Sequence, residues 1–300
     1  MFPAIARDFV AVLITRFAPS PTGLLHLGHV FSAWQAWSLA MARGGRFLLR
    51  LEDTDTGRCR REFEQAILED LAWLGLKWEE PVLRQSAHVE RYRAALARLQ
   101  KLDLVYPCFC TRSEVRREIE AAASAPHGLP EGARDPMGSP IYPGTCRNLP
   151  KAERTSRIKR GDAHAWRLDS ALAAERSGIL TWEDEKAGVV TAEPLTFGDV
   201  VLARKGTPTS YHLAVVVDDA FQEISLVVRG DDLFAAAHIH RLLQALLGLP
   251  SPVYSHHPLL VDAQGRRFAK RDKDLTIRAL RESGVAPVDV VAMTANYLDG

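Results

Sequence analysis

The chain has 300 residues, 47% hydrophobic and 25% charged, with 38 Lys and Arg against 37 Asp and Glu for a formal net charge of +1. A chain of this length buries roughly 75% of the surface its unfolded form exposes, which suffices for a full enzyme core without staples, and the composition excludes general disorder. The balanced charge excludes a protein that coats nucleic acid by bulk charge and leaves only local basic patches. In chain order, Val10 to Arg16 is β-branched and apolar and predicts a strand; it runs into the turn-forming Ala18-Pro19-Ser20-Pro21-Thr22-Gly23. Val30, Trp34, Trp37 and Met41 recur at helical spacing between His29 and Arg43, and Gly44-Gly45 stops that helix. Phe47 to Leu51 is a second short strand ending in Glu52-Asp53-Thr54-Asp55. Strand, loop, helix, strand is the opening of a parallel α/β sheet.

Helices are predicted next at Glu62 to Leu74, closed by Gly75, and at His88 to Lys101. From Tyr106 to Arg147 the pattern breaks into Cys, Pro and Gly around one helical stretch, Ser113 to Ala123, and reads as an insertion. Regular texture returns with strand Asp199 to Arg204, helix Tyr211 to Ala220, strand Ile224 to Val228, helix Asp231 to Leu247 and strand Val253 to Val261. The segment from Leu275 onward reads as helical with a break at Pro287. No internal repeat is present. The longest apolar stretches, Ala4 to Ile14 and Tyr211 to Val217, are interrupted or too short to span a bilayer, and the start carries no secretion signal. A cytoplasmic chain without a membrane partner is expected. Of the four Cys, two stand as Cys108-x-Cys110, a spacing that favours a cytosolic metal site over a disulfide framework.

The loop after the first strand holds His26-Leu27-Gly28-His29 at a helix start. Two imidazoles three residues apart can face one ligand, Gly28 permits close backbone approach, and a helix N-terminus favours phosphate. The plain alternative is that both histidines merely cap or pack the helix.

The motifs Arg16-Phe17-Ala18-Pro19-Ser20-Pro21-Thr22-Gly23, His26-Leu27-Gly28-His29, Leu51-Glu52-Asp53-Thr54-Asp55, Tyr211 to Asp219, Val228-Arg229-Gly230 and Arg266-Arg267-Phe268-Ala269-Lys270-Arg271 follow one another in this order. Together they resemble the glutamyl-tRNA synthetase family of class I synthetases over roughly the whole chain. The tetrapeptide is similar to that family's HIGH motif, and Arg267 to Arg271 to its KMSKS loop, with Arg267 at the first Lys and Ala269 at the Ser.

The resemblance implies an α/β fold, a Rossmann-like doubly wound parallel sheet with an inserted zinc-binding subdomain and a short helical C-terminal tail. Residues 10–105 would be the first half of the catalytic domain, 106–195 the insertion, 196–262 the second half, and 263–300 the KMSKS-like loop and tail. The resemblance also implies that Arg16, Ala18, Ser20, Glu52, Tyr211 and Arg229 bind L-glutamate. It assigns His26, Gly28, His29 and Lys270 to ATP, with His26, His29 and Lys270 catalytic and Mg²⁺ sharing the phosphate charge. An Arg fork suits a carboxylate and Glu52 suits an ammonium. In the insertion, Cys108, Cys110 and Cys146 can hold Zn²⁺, which wants a fourth ligand. The family pattern points to Tyr142, and His127 is the alternative.

Arginine clusters at Arg58 to Arg61, Arg112 to Arg117 and Arg154 to Arg160 could track an RNA backbone or simply be solvated. His212, His238, His240, His256 and His257 form no ligand pattern. The sequence given ends about 30 residues after Lys270, and no anticodon-reading domain is expected. That shortness, with the Cys and Tyr set, resembles a branch of the family that activates glutamate without tRNA and attaches it to queuosine at the wobble position of tRNA(Asp). A short enzyme charging tRNA(Glu) and a noncatalytic RNA-binding module are the competing expectations. A monomer is expected.

Overall fold

The computed structural model describes residues 12–123, 134–261 and 276–296. In chain order come β1 (Ile14–Phe17), α1 (Leu27–Ala42), β2 (Arg46–Leu51), α2 (Arg61–Trp73), β3 (Glu79–Arg84), α3 (Val89–Lys101), β4 (Val105–Cys108) and α4 (Arg112–Ala123). They are followed by α5 (Lys151–Lys159), β5 (Ala165–Leu168), α6 (Ser170–Ser177), β6 (Thr181–Asp184), β7 (Gly188–Thr191) and β8 (Val201–Arg204). The last elements are α7 (Tyr211–Phe221), β9 (Leu226–Gly230), α8 (Ala236–Leu247), β10 (Val253–His257), α9 (Ile277–Glu282) and α10 (Pro287–Asn296).

Two parallel sheets abut at the centre. One has the order β1-β2-β3, with Ile14 opposite Arg46 and Leu48 opposite Glu79. The other has the order β7-β6-β10-β9; β6, β10 and β9 are parallel and β7 folds back antiparallel on β6. Ser225 joins them, its N–H donating to Ile14 O at 3.0 Å and its Oγ accepting from Ile14 N at 2.8 Å. The chain leaves β1 toward β2 on one side and returns at β9 on the other. This reversal of strand order opens a crevice at the carboxyl ends of the strands, where α/β sheets take their ligands.

Helix α1 lies on this junction. Trp34 and Trp37 are only partly buried and Met41 is exposed; the fully buried stripe is Leu27, Val30, Ala33, Ala36 and Ala40. Small alanines let the helix close on the sheet, and Thr15 Oγ1 pins it by donating to Ala36 O at 2.8 Å. Gly45 is required at the next turn because a Cβ there would collide with Leu13 O. A second core joins α3, α6, α7 and α8 around Leu99, Leu213, Ile239 and Leu243. Each such side chain contributes about 1.5–3 kcal/mol on burial.

The middle of the chain differs from the sequence expectation in detail. β8, expected to resume the catalytic sheet, instead pairs antiparallel with β5 in a separate sheet of order β4-β5-β8. β6, from the stretch read as insertion, pairs parallel with β10, with Tyr254 opposite Asp184. Pro287 starts α10, where its missing N–H costs nothing, and α10 packs on α1. No helix among the described residues is long and apolar enough to cross a membrane.

Candidate active site

The loop after β1 and the start of α1 are built around the two histidines. His26 is the N-cap: its Nδ1 accepts from Gly28 N at 3.2 Å, and His29 Nδ1 accepts from His26 N at 3.2 Å, closing a reciprocal capping box. The rings lie 3.8 Å apart between centroids. A nitrogen that accepts from a backbone N–H carries no proton, so both neutral rings hold theirs on Nε2. Gly28 belongs to this arrangement, since a Cβ there would sit 3.1 Å from His26 Cε1. The structural and the ligand-binding readings of His26 and His29 are therefore compatible.

A cavity of about 370 Å³ brings together Arg16, Ala18, His26, Gly28, His29, Glu52, Tyr211 and Arg229. Ser20 lies instead on an adjoining cavity of about 900 Å³, which shares Glu52 and Tyr211 with the first and also reaches Tyr142, Arg167 and His212. Lys270 and the rest of the KMSKS-like loop lie outside the described residues, as does His127.

The residues around the cavity were only partly evident from sequence. Asp219, on α7, accepts from Arg16 Nε at 3.0 Å and from Arg50 NH1 at 2.7 Å; Arg50 is fully buried and its NH2 reaches Glu52 at 3.4 Å. Burial pushes the Asp219 carboxyl up, but Arg16 and Arg50 more than offset it and hold it below the ordinary carboxylate range. Burial likewise raises Glu52, and here Arg50 and Arg16 offset it only in part. Arg229, on β9, meets three neutral groups: its Nε donates to His256 Nε2 at 3.1 Å, and its NH1 to His240 Nδ1 at 3.3 Å and Tyr211 Oη at 3.4 Å. Three of the histidines without sequence pattern thus gather here, because His240 also contacts His212 at 3.2 Å. Burial, and then Arg229, lower His212 and His256 to about 4 and His240 well below its ordinary value. One signal was available: Arg50 and Asp219 are charged residues inside otherwise apolar runs.

In the insertion, the Sγ atoms of Cys108, Cys110 and Cys146 lie within 4.8 Å of one another. Cys110 Sγ is 3.4 Å from Cys146 Sγ and 3.5 Å from Tyr142 Oη. Tetrahedral Zn²⁺ with bonds near 2.3 Å needs ligands about 3.8 Å apart, so the set is close to this spacing. Tyr142 Oη accepts from Cys146 N at 2.8 Å, and Cys146 Sγ accepts from Phe109 N at 3.4 Å. Cys146 is lowered to about 6, chiefly by the Cys108 thiol donating to it, while that bond and burial raise Cys108 to about 12.

The crevice at a strand-order reversal, the capped histidine pair and the buried arginines together define an α/β core whose cationic and imidazole groups line one cavity. Residues 12–297 match the family described as tRNA synthetases class I (E and Q), catalytic domain, and the chain belongs to that family. It is 48% identical over 287 residues to the Glutamyl-Q tRNA(Asp) synthetase of Rhodobacter capsulatus, covering 93% of this chain and 98% of the relative. It is 44% identical over 283 residues to the protein of that name from Nocardia farcinica, covering 94% and 84%. Among solved structures it resembles the glutamate-tRNA synthetase of Elizabethkingia anophelis, with TM-score 0.73 and 28% identity over 88% of this chain. The chain spans about half, 53%, of that solved structure.

Proposed function

We propose that this chain activates L-glutamate with ATP, without tRNA, and then transfers the glutamyl group to queuosine at the wobble position of tRNA(Asp). The observation that carries the activation step is the single cavity lined by His26, His29, Glu52, Tyr211, Arg16 and Arg229. In it, Glu52 receives the substrate ammonium, Arg229 a substrate carboxylate, and the Nε2–H groups of His26 and His29 the ATP phosphates. A carboxylate oxygen of glutamate attacks the α-phosphorus in line and pyrophosphate leaves. The protein's part is positioning and charge stabilisation, to which Lys270 adds a cation and Mg²⁺ bound to ATP shares the phosphate charge. A queuosine ring hydroxyl then attacks the glutamyl carbonyl and AMP leaves.

The choice of acceptor is supported by the names of the Rhodobacter and Nocardia relatives and by the larger cavity that shares Glu52 and Tyr211 with the first. That cavity is open to an unstacked, protruding base, which is how proteins commonly read RNA. Cys108, Cys110, Cys146 and Tyr142 would hold Zn²⁺, whose contribution is to clamp the insertion beside this cavity. The test is transfer of labelled glutamate to tRNA(Asp) with and without queuosine and to tRNA(Glu). Labelling confined to queuosine-bearing tRNA(Asp) is expected. Labelling of tRNA(Glu) instead would assign a short conventional synthetase.

A further inference from the structure

The two arginines of the small cavity differ in how their charge is met. Arg16 faces a carboxylate: Nε and NH2 reach the two oxygens of Asp219 at 3.0 and 3.4 Å, and NH1 reaches Val228 O at 3.4 Å. Arg229 has no carboxylate partner among the described residues. A guanidinium has five N–H donors, and three of those on Arg229 are taken by His256, His240 and Tyr211. The remaining two are on NH2, which is shut off from solvent and has no acceptor. Arg229 lines the small cavity, and its charge is met by no anion of the fold among the described residues, which is costly for a buried guanidinium.

Burial and Arg229 keep the acceptors neutral, and their own partners fix their tautomers. His256 Nε2 accepts from Arg229, so its proton is on Nδ1, which donates to Asp184 Oδ2 at 2.7 Å. Asp184 is held in turn, its Oδ1 accepting from Lys186 N and Ala187 N at 2.9 Å each. His240 Nδ1 accepts from Arg229, so its proton is on Nε2 and goes to His212 Nδ1 at 3.2 Å. His256 and His240 are 5% and 2% exposed, so water does not compete for these bonds.

We propose that His256 and His240 are positioning residues that orient Arg229 through neutral acceptors, keeping its charge uncompensated for a substrate carboxylate, with Asp184 setting the His256 tautomer. This rests on the reading that the cavity takes the amino acid. A carboxylate in place of His256 would pair with Arg229 as Asp219 pairs with Arg16, and would compete with the substrate. A neutral acceptor orients the guanidinium without that competition.

The test is glutamate-dependent ATP–pyrophosphate exchange on the full chain, with KM measured separately for glutamate and ATP. His256→Leu removes the acceptor and is expected to raise the glutamate KM about 10- to 100-fold, the scale of one hydrogen bond to a charged group, with the ATP KM within about twofold. His256→Gln, which keeps an oxygen near the Nε2 position, should recover most of the loss, and His256→Glu should not. An unchanged glutamate KM in His256→Leu, or equal rises in both KM values, overturns the proposal. Should His256→Leu fail to fold, Asp184→Asn carries the test. It leaves the contacts of Arg229 in place but frees His256 to adopt the tautomer that faces Arg229 with N–H against N–H. It must raise the glutamate KM selectively, and an unchanged value overturns the tautomer role. Wild-type protein with no glutamate-dependent exchange would instead defeat the underlying amino-acid reading.

Discussion

Asp219→Asn removes the one carboxylate that two buried arginines share. Arg16 and Arg50 are 5% and 0% exposed, and Asp219 Oδ1 alone accepts from both, at 3.0 and 2.7 Å. An Asn Oδ1 could keep both bonds but not the charge, and the Asn NH₂ would point at Arg16 NH2 in place of Oδ2. Glu52, 3.4 Å from Arg50 NH2, and the more distant Asp218 would remain as nearby anions. Breaking a buried pair from one side costs about 3–5 kcal/mol, because it leaves an unmatched charge. At about 2–4 °C per kcal/mol for a domain of somewhat smaller size, the melting temperature should fall by roughly 10 °C. Urea denaturation and thermal melting of the purified variant give both values. Stability within about 1 kcal/mol of wild type would refute the claim that Asp219 compensates both arginines, since no surface pair loses more than that.

Gly28→Ala should leave stability nearly unchanged, because the gain of about 1 kcal/mol from Ala over Gly in a helix offsets a weakened cap of similar size, while pyrophosphate exchange falls; retained exchange would show that the His26 ring has room to move. His26→Asn keeps a good N-cap but removes Nε2, so the melting temperature should hold within a few degrees while exchange drops by about 10²-fold or more. A large loss of stability would make His26 chiefly a cap. The purified protein should carry about one zinc by atomic absorption, and Cys110→Ser or prolonged chelation should release it and lower the melting temperature; metal-free protein prepared without chelator would refute the site. Stability should fall as pH drops from about 6.5 toward 4. His212 and His256, lowered to about 4, and His240, with His238 and His257 also lowered, stay neutral in the fold while the unfolded chain takes up protons; Asp70, raised to about 6 by burial that Arg278 and Arg281 only partly offset, and Glu52 work in the opposite direction. Each net proton that the unfolded chain takes up amounts to about 1.4 kcal/mol per pH unit, and urea titrations at several pH values showing no slope would refute it.

What could be read from sequence was whatever local chemistry dictates. The β1 loop, α1 and β2 were legible because turn residues, a stop at Gly44-Gly45 and apolar runs coincide within about forty residues, and the structure places them within a few positions of expectation. β3 was missed because Glu79-Glu80-Pro81 reads as a turn, although an edge strand tolerates Pro. β4, β5, β6 and β7 have four residues each, too few to show a period. The partners of Arg229 were invisible for a different reason: Asp184, His240 and His256 lie on β6, α8 and β10, and only the pairing of β6 and β9 with β10 brings them together. The helical spacing of Trp34 and Trp37 was real, but the sheet selected the alanine stripe beside them as the buried face of α1.

One physical device recurs on both sides of the cavity. At His26 and His29 the Nδ1 atoms close the start of α1, so each imidazole is fixed by the fold through one nitrogen and carries its proton on the other. At His256 and His240 one nitrogen meets Arg229 and the other is fixed by Asp184 or His212. Ser or Asp would cap a helix at least as well as His, so capping alone does not explain an imidazole at position 26. A carboxylate would hold a guanidinium more strongly than His256 does, so holding Arg229 alone does not explain an imidazole there either. Neutral imidazole is the side chain that spends one nitrogen on its own orientation and leaves the other defined as a donor or an acceptor, without adding charge. A site that must receive a triphosphate and an acidic amino acid gains from that neutrality, because an anion beside Arg229 would oppose the substrate carboxylate that Glu52, on the ammonium side, does not.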